Sequence, residues 1–455
     1  MGVGGELRIP AAPRLPRKQM SLAAYRGMLL HFLTDPGEGD DPHAFQLFED
    51  GLLVVEEGRI KAVGPAGELL PSLPAGTSVT DYSGCVLMPG FIDTHIHYPQ
   101  VDVIASYGSR LLDWLERYTF PAESRFGDAV HAREAAVFFL DELLRNGTTT
   151  ALVFGSVHAL SVDVFFEHAL ARNLRMIAGK ALMDRNCPES VRDTAEGGCR
   201  ESAELIEKWH RRGRLGYAIT PRFAGTSTEA QLELAGRLAR EHPHTHIHSH
   251  MSESAEEIAW IRQLYPWSRS YLDVYERFGL LRERAVYAHC IHLDAEERTR
   301  FALSGSAASA CPTSNLFLGS GLFDFDASAA AGMRVGIGTD VGGGTSYSML
   351  RTLSEAYKVA QLRRQRLSPW RAFYLATLGG ARALRLDREI GNFEPGKEAD
   401  FVALRLESTP LLARRMRAAS TPMEKLFALM MLGDDRAIAA TYVLGQPAYS
   451  NAERT

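Results

Sequence analysis

The chain has few cysteines, and none of them are arranged as a pair. Its five cysteines are scattered, odd in number and never spaced as CxxC. This pattern argues against a disulfide framework and fits a reduced, cytoplasmic protein. The missing PCxxC element also disfavours the small zinc deaminases that bind their metal through cysteines.

Long apolar runs and an excess of charge are also missing. No apolar stretch reaches the roughly 18 residues that span a bilayer, and residues 21–33 lack the pattern of a signal peptide. The formal charge of −5 over 455 residues gives no reason to expect nucleic acid or a membrane as a partner. With 45% hydrophobic and 23% charged residues, the composition is that of an ordinary globular protein.

Strand and helix patterns alternate through the middle of the chain. The candidate strands are residues 90–97, 148–154, 175–183, 215–223, 245–251, 285–290, 306–311 and 334–340. Helical patterns such as residues 132–146 and 227–242 lie between most of them. Eight strand–helix units predict an α/β protein with a (β/α)8 TIM-type barrel over residues 89–389.

Both ends of the chain predict a second, smaller unit. Residues 21–88 show short strands, with hairpin turns expected at Asp50-Gly51 and Glu57-Gly58. Residues 390–404 and 436–449 are also strand-like, so 21–88 and 390–455 are predicted to form one composite β-sandwich domain. Residues 1–20, rich in Gly, Pro and Arg, are predicted to be a disordered arm.

Two barrel strands end in histidines that share a face. Side chains alternate along a strand, so His95 and His97 point the same way, as do His246, His248 and His250. Two imidazoles on one face suit a divalent metal, although a bare HxH also occurs as two unrelated polar residues. His250 is nearest the end of its strand, so His246 and His248 are predicted to lie in the core or behind the ligands.

Strands six and eight end in His289 and Asp340. Either residue alone would more often be structural, but four strand ends carrying such groups indicate one site at the mouth of the barrel. His95, His97, His250 and Asp340 are predicted to bind a divalent metal, either Zn²⁺ or Fe²⁺, because both metals accept these ligands. Such a metal lowers the pKa of bound water towards neutrality.

A proton carrier is expected beside the metal. Glu253, three residues past His250, is placed to move protons from the water to the leaving group. Its simpler interpretation is an acid at a helix start, but Ser254 and Glu257 form the better capping pair and leave Glu253 free. His289 would orient the water and stabilise the developing charge.

Longer motifs identify a family. PGFIDTHIH, SHMSE, AHC, GTD and PGKEAD resemble the amidohydrolase superfamily, in its mononuclear deaminase branch. HYPQ, LLDWLERYTFPAE, ITPRF and CPTSNLFLGSGLF extend the resemblance to members that act on guanine, over nearly all of the chain from about residue 25. The resemblance implies hydrolysis of guanine to xanthine and ammonia, with one zinc per chain and a homodimeric assembly.

The resemblance also implies a role for each of the candidate residues. Its metal ligands are the four predicted above, Glu253 carries protons, and His289 and Asp340 assist. Gln100, Arg222 and Phe223 would bind the purine, and an amide, a cation and an aromatic ring suit a flat base with a carbonyl and ring nitrogens. Arg222 could instead form a salt bridge across the barrel top, and Phe223 could belong to the core.

Two other functions compete with this interpretation. Another mononuclear deaminase, for cytosine, an adenosine derivative or a chlorotriazine, would use the same metal chemistry. A non-catalytic assembly protein on the same scaffold, like some dihydropyrimidinase-like proteins, would typically have lost metal ligands, whereas this chain keeps the whole set.

Overall fold

The computed structural model describes residues 22–108 and 110–451, so the arm predicted at 1–20 lies outside the described residues. The strands are β1 (Ala23–Phe32), β2 (Phe45–Glu56), β3 (Arg59–Pro65), β4 (Ser78–Pro89), β5 (Phe91–His97), β6 (Thr148–Phe154), β7 (Arg175–Gly179), β8 (Ala181–Leu182), β9 (Gly216–Pro221), β10 (His246–Met251), β11 (Ala285–His289), β12 (Ala307–Ala310), β13 (Arg334–Ile337), β14 (Phe401–Arg405), β15 (Ile438–Val443) and β16 (Gln446–Ser450).

Helices fill the connections between the strands. They are α1 (Ala66–Leu69), α2 (Leu111–Trp114), α3 (Phe120–Ser124), α4 (Ala129–Arg145), α5 (Ala159–Ala171), α6 (Ala195–Trp209), α7 (Glu229–Glu241), α8 (Ala255–Leu264), α9 (Tyr271–Arg277), α10 (Ala295–Ser304), α11 (Pro312–Phe317), α12 (Phe325–Ala330), α13 (Met349–Leu362), α14 (Pro369–Tyr374), α15 (Gly380–Ala383), α16 (Pro410–Arg417) and α17 (Pro422–Leu432). Among the described residues, no helix is long and apolar enough to cross a membrane.

The predicted barrel is confirmed. Strands β5 to β13 pair in parallel around the sheet, with β7 and β8 forming one broken third strand. Backbone hydrogen bonds from Asp340 N to His95 O (2.9 Å) and from His97 N to Val341 O (2.8 Å) close it between the first and last strands. Closure brings the two ends of the predicted metal set together.

Helix α4 shows how the sequence specifies the layer outside the barrel. The Asp128 carboxylate accepts hydrogen bonds from two backbone N–H groups of the first turn and so caps the helix. Apolar residues then recur at helical spacing, and Ala136, Phe139, Leu140 and Leu143 are fully buried. The chain leaves the helix at Gly147, where φ is +79°.

The two ends of the chain pair in one sheet, as the strand patterns predicted. Its order is β16-β15-β14-β4-β1-β2-β3, and only the β1–β4 pair is parallel. Glu57-Gly58 forms the expected turn between β2 and β3, but the turn predicted at Asp50-Gly51 is wrong. Gly51 lies within β2, where a Cβ atom would meet Leu29 Cδ1 at 2.5 Å, so it permits close packing rather than a turn.

This sheet connects to the barrel through a short link and through buried ion pairs. β4 continues into β5 after Gly90 alone. Arg175 at the start of β7 donates to Glu398 at 2.8 Å, and Arg214 donates to Asp400 at 2.9 Å. The segment 390–455 also contributes α16 and α17, so it holds more than strands. The domain boundaries at 88/89 and 389/390 stay a prediction.

Candidate active site

The predicted polar residues lie together at one end of the barrel. His95 and His97 end β5, His250 lies in β10, His289 ends β11 and Asp340 follows β13. Parallel strands place their carboxyl ends on the same side, which explains the convergence. His289 and Asp340 have positive φ values, 71° and 52°, and residues held in this region often belong to functional sites.

Four side chains direct ligand atoms towards one point. His97 Nε2 lies 3.1 Å from both His95 Nε2 and His250 Nε2. Asp340 Oδ1 lies 3.0 Å from His95 Nε2 and 3.3 Å from His97 Nε2. The four ligand atoms are all within 4.8 Å of one another. Three imidazole nitrogens and one carboxylate oxygen in this arrangement fit a divalent metal.

The hydrogen bonds and burial of the histidines suit metal binding. His250 Nδ1 lies 2.7 Å from the carbonyl oxygen of Arg222, to which it donates, so its Nε2 carries the free lone pair. His95 Nδ1 lies 2.7 Å from His248 Nε2, which places His248 behind a ligand as predicted. Burial lowers the pKa of His97 to about 3, which favours the neutral imidazole that binds metals.

Glu253 is buried beside this cluster and is held by two neighbours. Its Oε1 accepts a hydrogen bond from Ser320 Oγ at 2.9 Å, and its Oε2 lies 3.3 Å from His289 Nε2. Burial, reinforced by the charge of Asp340, raises the pKa of Glu253 to about 8. His289 Nδ1 lies 2.8 Å from Asn315 Oδ1, so it donates there and directs Nε2 at the carboxyl group. This carboxyl group can hold or release a proton near neutral pH.

The capping pair predicted next to Glu253 is also present. Ser254 and Glu257 form a reciprocal capping box at the start of α8. Glu257 Oε2 also accepts from the backbone N–H of Glu253 at 2.8 Å, and Tyr271 Oη donates to Glu257 Oε1 at 2.8 Å. The backbone of Glu253 is therefore fixed while its side chain faces the cavity.

Gln100, Arg222 and Phe223 line the same cavity. Gln100 Nε2 donates to Glu123 at 3.0 Å, and Arg222 Nη1 donates to both carboxylate oxygens of Glu123 at 2.8 and 2.7 Å. The alternative interpretation of Arg222 as part of a salt bridge is thus correct in geometry, yet the residue still lines the cavity. Phe223 is 5% exposed and packs near Trp260, with 5.9 Å between ring centroids.

Sequence reasoning missed several residues of the site. The cavity has an apolar wall, which is formed by Leu111, Trp114, Leu115 and Leu318. Glu123, Asn315 and Ser320 hold the residues that were predicted. Asn315 lies in α11 and Ser320 follows that helix, so both belong to the segment after the seventh barrel strand, and this position was a usable signal. Glu123 lies in α3, outside the barrel strands, and offered no such signal.

A barrel with a His/Asp cluster at its carboxyl end defines the class of protein. The sequence profile of the Amidohydrolase family matches residues 86–448, and the chain therefore belongs to the amidohydrolase family of hydrolases. Members of this family usually hold a catalytic metal, and the present cluster could hold one.

Within the family, the chain is similar to guanine deaminases. It is 52% identical over 406 residues to the guanine deaminase of Escherichia coli (strain K12), which covers 89% of this chain and 92% of that protein. A solved structure of E. coli guanine deaminase superposes with a TM-score of 0.92 at 50% identity, covering 94% of this chain and 100% of the other. A guanine deaminase from C. acetobutylicum with bound guanine in the active site gives 0.85 at 27% identity, covering 94% and 100%.

Proposed function

We propose that this chain hydrolyses guanine to xanthine and ammonia at the cavity between the His/Asp cluster and Gln100, Arg222 and Phe223. The observation that carries the proposal is the presence of both halves of such a site in one cavity. One half can activate water, and the other offers an amide, a cation and an aromatic ring. The similarity to guanine deaminases over most of the chain supports guanine as the base.

His95, His97, His250 and Asp340 would hold the metal, which we propose to be one Zn²⁺ rather than Fe²⁺. Three neutral imidazoles and one carboxylate form a donor set that zinc accepts. When bound, such a metal lowers the pKa of a water ligand and so makes hydroxide available near pH 7. No lysine lies in the fourth barrel strand, β9, to bridge a second metal, which favours one metal per chain.

The chain's own residues would then move the protons. The reaction forms a bond between oxygen and C2 of guanine and breaks the bond from C2 to the amino nitrogen. Glu253 would accept one proton from the attacking water and deliver it to the ring nitrogen beside C2. The second proton of the same water would pass to the 2-amino group, which leaves as ammonia while the added oxygen becomes the carbonyl of xanthine. Its raised pKa, about 8, suits both halves of this transfer near neutral pH. His289 holds the carboxyl group of Glu253 and stabilises charge beside Asp340.

The remaining residues would bind and orient the base. Phe223 offers an aromatic surface, while Gln100 and Arg222 offer donors at fixed positions on the cavity wall. The apolar side chains of Leu111 and Trp114 line the same cavity and would exclude water from it. A flat neutral purine with a carbonyl group matches these surfaces.

Ammonia release from a panel of guanine, adenine, cytosine and a chlorotriazine tests the proposal with purified protein. Ammonia from guanine alone is the expected result. Turnover of another member instead would keep the hydrolytic mechanism and overturn the assignment of the purine-binding residues. No turnover, combined with less than stoichiometric metal by elemental analysis, would favour the non-catalytic scaffold. A homodimeric assembly and a cytoplasmic location stay predictions.

A further inference from the structure

A buried carboxylate connects the two polar residues proposed to bind the purine. Glu123 lies in α3 and is 0% exposed. Three hydrogen bonds converge on it, one from Gln100 Nε2 and two from Arg222 Nη1, at 2.7 to 3.0 Å. A carboxylate offers only acceptors, and these three donors supply its hydrogen bonds. Glu123 itself is not among the residues that line the cavity.

This contact determines which way the amide of Gln100 faces. Gln100 Oε1 accepts from the backbone N–H of Gly342 at 3.2 Å, while Nε2 donates to Glu123. A flipped amide would place its oxygen against the carboxylate and its NH₂ group against the Gly342 N–H. Both of these contacts would be repulsive, so the amide of Gln100 keeps one orientation. In that orientation the second N–H of Nε2 is left to donate to a ligand in the cavity.

Glu123 fixes Arg222 in a similar way. Only Nη1 of the guanidinium donates to the carboxylate, and the structure gives Nε and Nη2 no acceptor among the described residues. The Arg222 guanidinium also lies 5.7 Å from the centroid of the Phe120 ring, one helical turn before Glu123 in α3. Because Arg222 is 2% exposed, the carboxylate also balances a charge that would otherwise be buried without a partner.

We propose that Glu123 is a positioning residue for substrate recognition, which acts by fixing the donor groups of Gln100 and Arg222 towards the purine. The inference rests on the proposed function, since it assigns these two residues to the base. Recognition contacts act in the bound ground state as well as in the transition state, so loss of Glu123 should raise KM more than it lowers kcat.

The test is a double-mutant cycle on guanine turnover. It compares wild type, Glu123→Gln, Arg222→Ala and the variant that carries both substitutions. Misplaced recognition groups cost on the order of 10²-fold, so we expect kcat/KM of Glu123→Gln to fall by that amount, mainly through KM. In the Arg222→Ala background, the same substitution should lower kcat/KM by a clearly smaller factor, because only Gln100 then remains for Glu123 to position. Metal content should match wild type throughout.

Glu398→Gln is the matched control, since Glu398 is also a buried acid paired with arginines, Arg175 and Arg214, but lies outside the cavity. It should lower Tm and leave KM unchanged. If Glu123→Gln does not fold, Glu123→Asp, which keeps the charge one methylene further away, should still raise KM.

Three results would overturn the inference: wild-type KM in the folded Glu123 variants, equal losses in both backgrounds, or a matching rise of KM in Glu398→Gln. Wild-type protein that does not turn over guanine would overturn the proposed function together with this inference. If wild type turns over guanine normally but the effects of the two substitutions simply add, only the role of Glu123 is refuted and the proposed function stands.

Discussion

Replacing Glu253 by glutamine removes the proposed proton carrier while keeping its shape. The amide oxygen of the variant can still accept from Ser320 Oγ, now 2.9 Å from Oε1, so the loop should keep its position. Glu253 is three residues from His250 and is not among the four ligand groups, so metal binding should also survive. General acid–base catalysis contributes roughly 10²- to 10⁴-fold, and we therefore expect kcat to fall by about 10³-fold, or about 4 kcal/mol of transition-state stabilisation.

The assay follows the loss of guanine and the release of ammonia, with metal content measured on the same samples. Glu256→Gln is the matched control, because Glu256 lies on the first turn of α8 and is exposed. It should retain wild-type kcat. If Glu253→Gln keeps kcat within tenfold of wild type with full metal content, Glu253 does not carry the protons. If it loses the metal, the residue supports the ligands rather than the chemistry.

Three further predictions concern other parts of the molecule. Ser320→Ala removes the hydroxyl that holds Glu253 and should lower kcat by up to about tenfold, since a typical hydrogen bond is worth about 0.5 to 1.5 kcal/mol; unchanged kcat would exclude that role. Removal of the metal by a chelator should abolish turnover and lower Tm in calorimetry, and added Zn²⁺ should restore both, because a ligand that binds only the folded state stabilises it. Burial lowers the pKa of His31 to about 4, so stability present above about pH 6.5 is lost as pH falls towards 4. His31→Gln should reduce the loss measured by chemical denaturation between pH 7 and 4.5 by about 2 to 3 kcal/mol, and an unchanged loss would contradict the assignment.

The barrel could be predicted because each of its strands is a short apolar run with a polar residue at its end. β5 and β6 begin and end within one residue of the predicted strands. The third strand was predicted as one run over 175–183, but it is broken at Lys180, whose ammonium group binds Asp193 at 2.5 Å. The apolar pattern of residues 175–183 gives no sign of this ion pair with a later residue, so the break was not predictable from the sequence.

The predicted metal set could be placed from sequence because strand geometry alone decides which residues share a face and which lies nearest the barrel mouth. Parity places His246 and His250 on the same face, and position along the strand then selected His250. His246 Nε2 instead lies 2.9 Å from the carbonyl oxygen of Leu384. The turn at Asp50-Gly51 failed for the opposite reason. A glycine needed for close packing looks the same in sequence as a glycine needed for a turn.

Part of the cavity wall comes from a different part of the chain than the His/Asp cluster. The four predicted ligands come from barrel strands or directly follow them, whereas Leu111, Trp114 and Glu123 come from the segment between β5 and α4. That segment encloses the cavity through its apolar residues and fixes Arg222 through its carboxylate. Substitutions in it should therefore change which bases are accepted while leaving metal binding intact, and substitutions at the four predicted metal ligands should do the reverse. A substrate panel on Trp114→Ala, with metal content measured in parallel, distinguishes the two; loss of metal in that variant would show that the wall and the cluster are not separable.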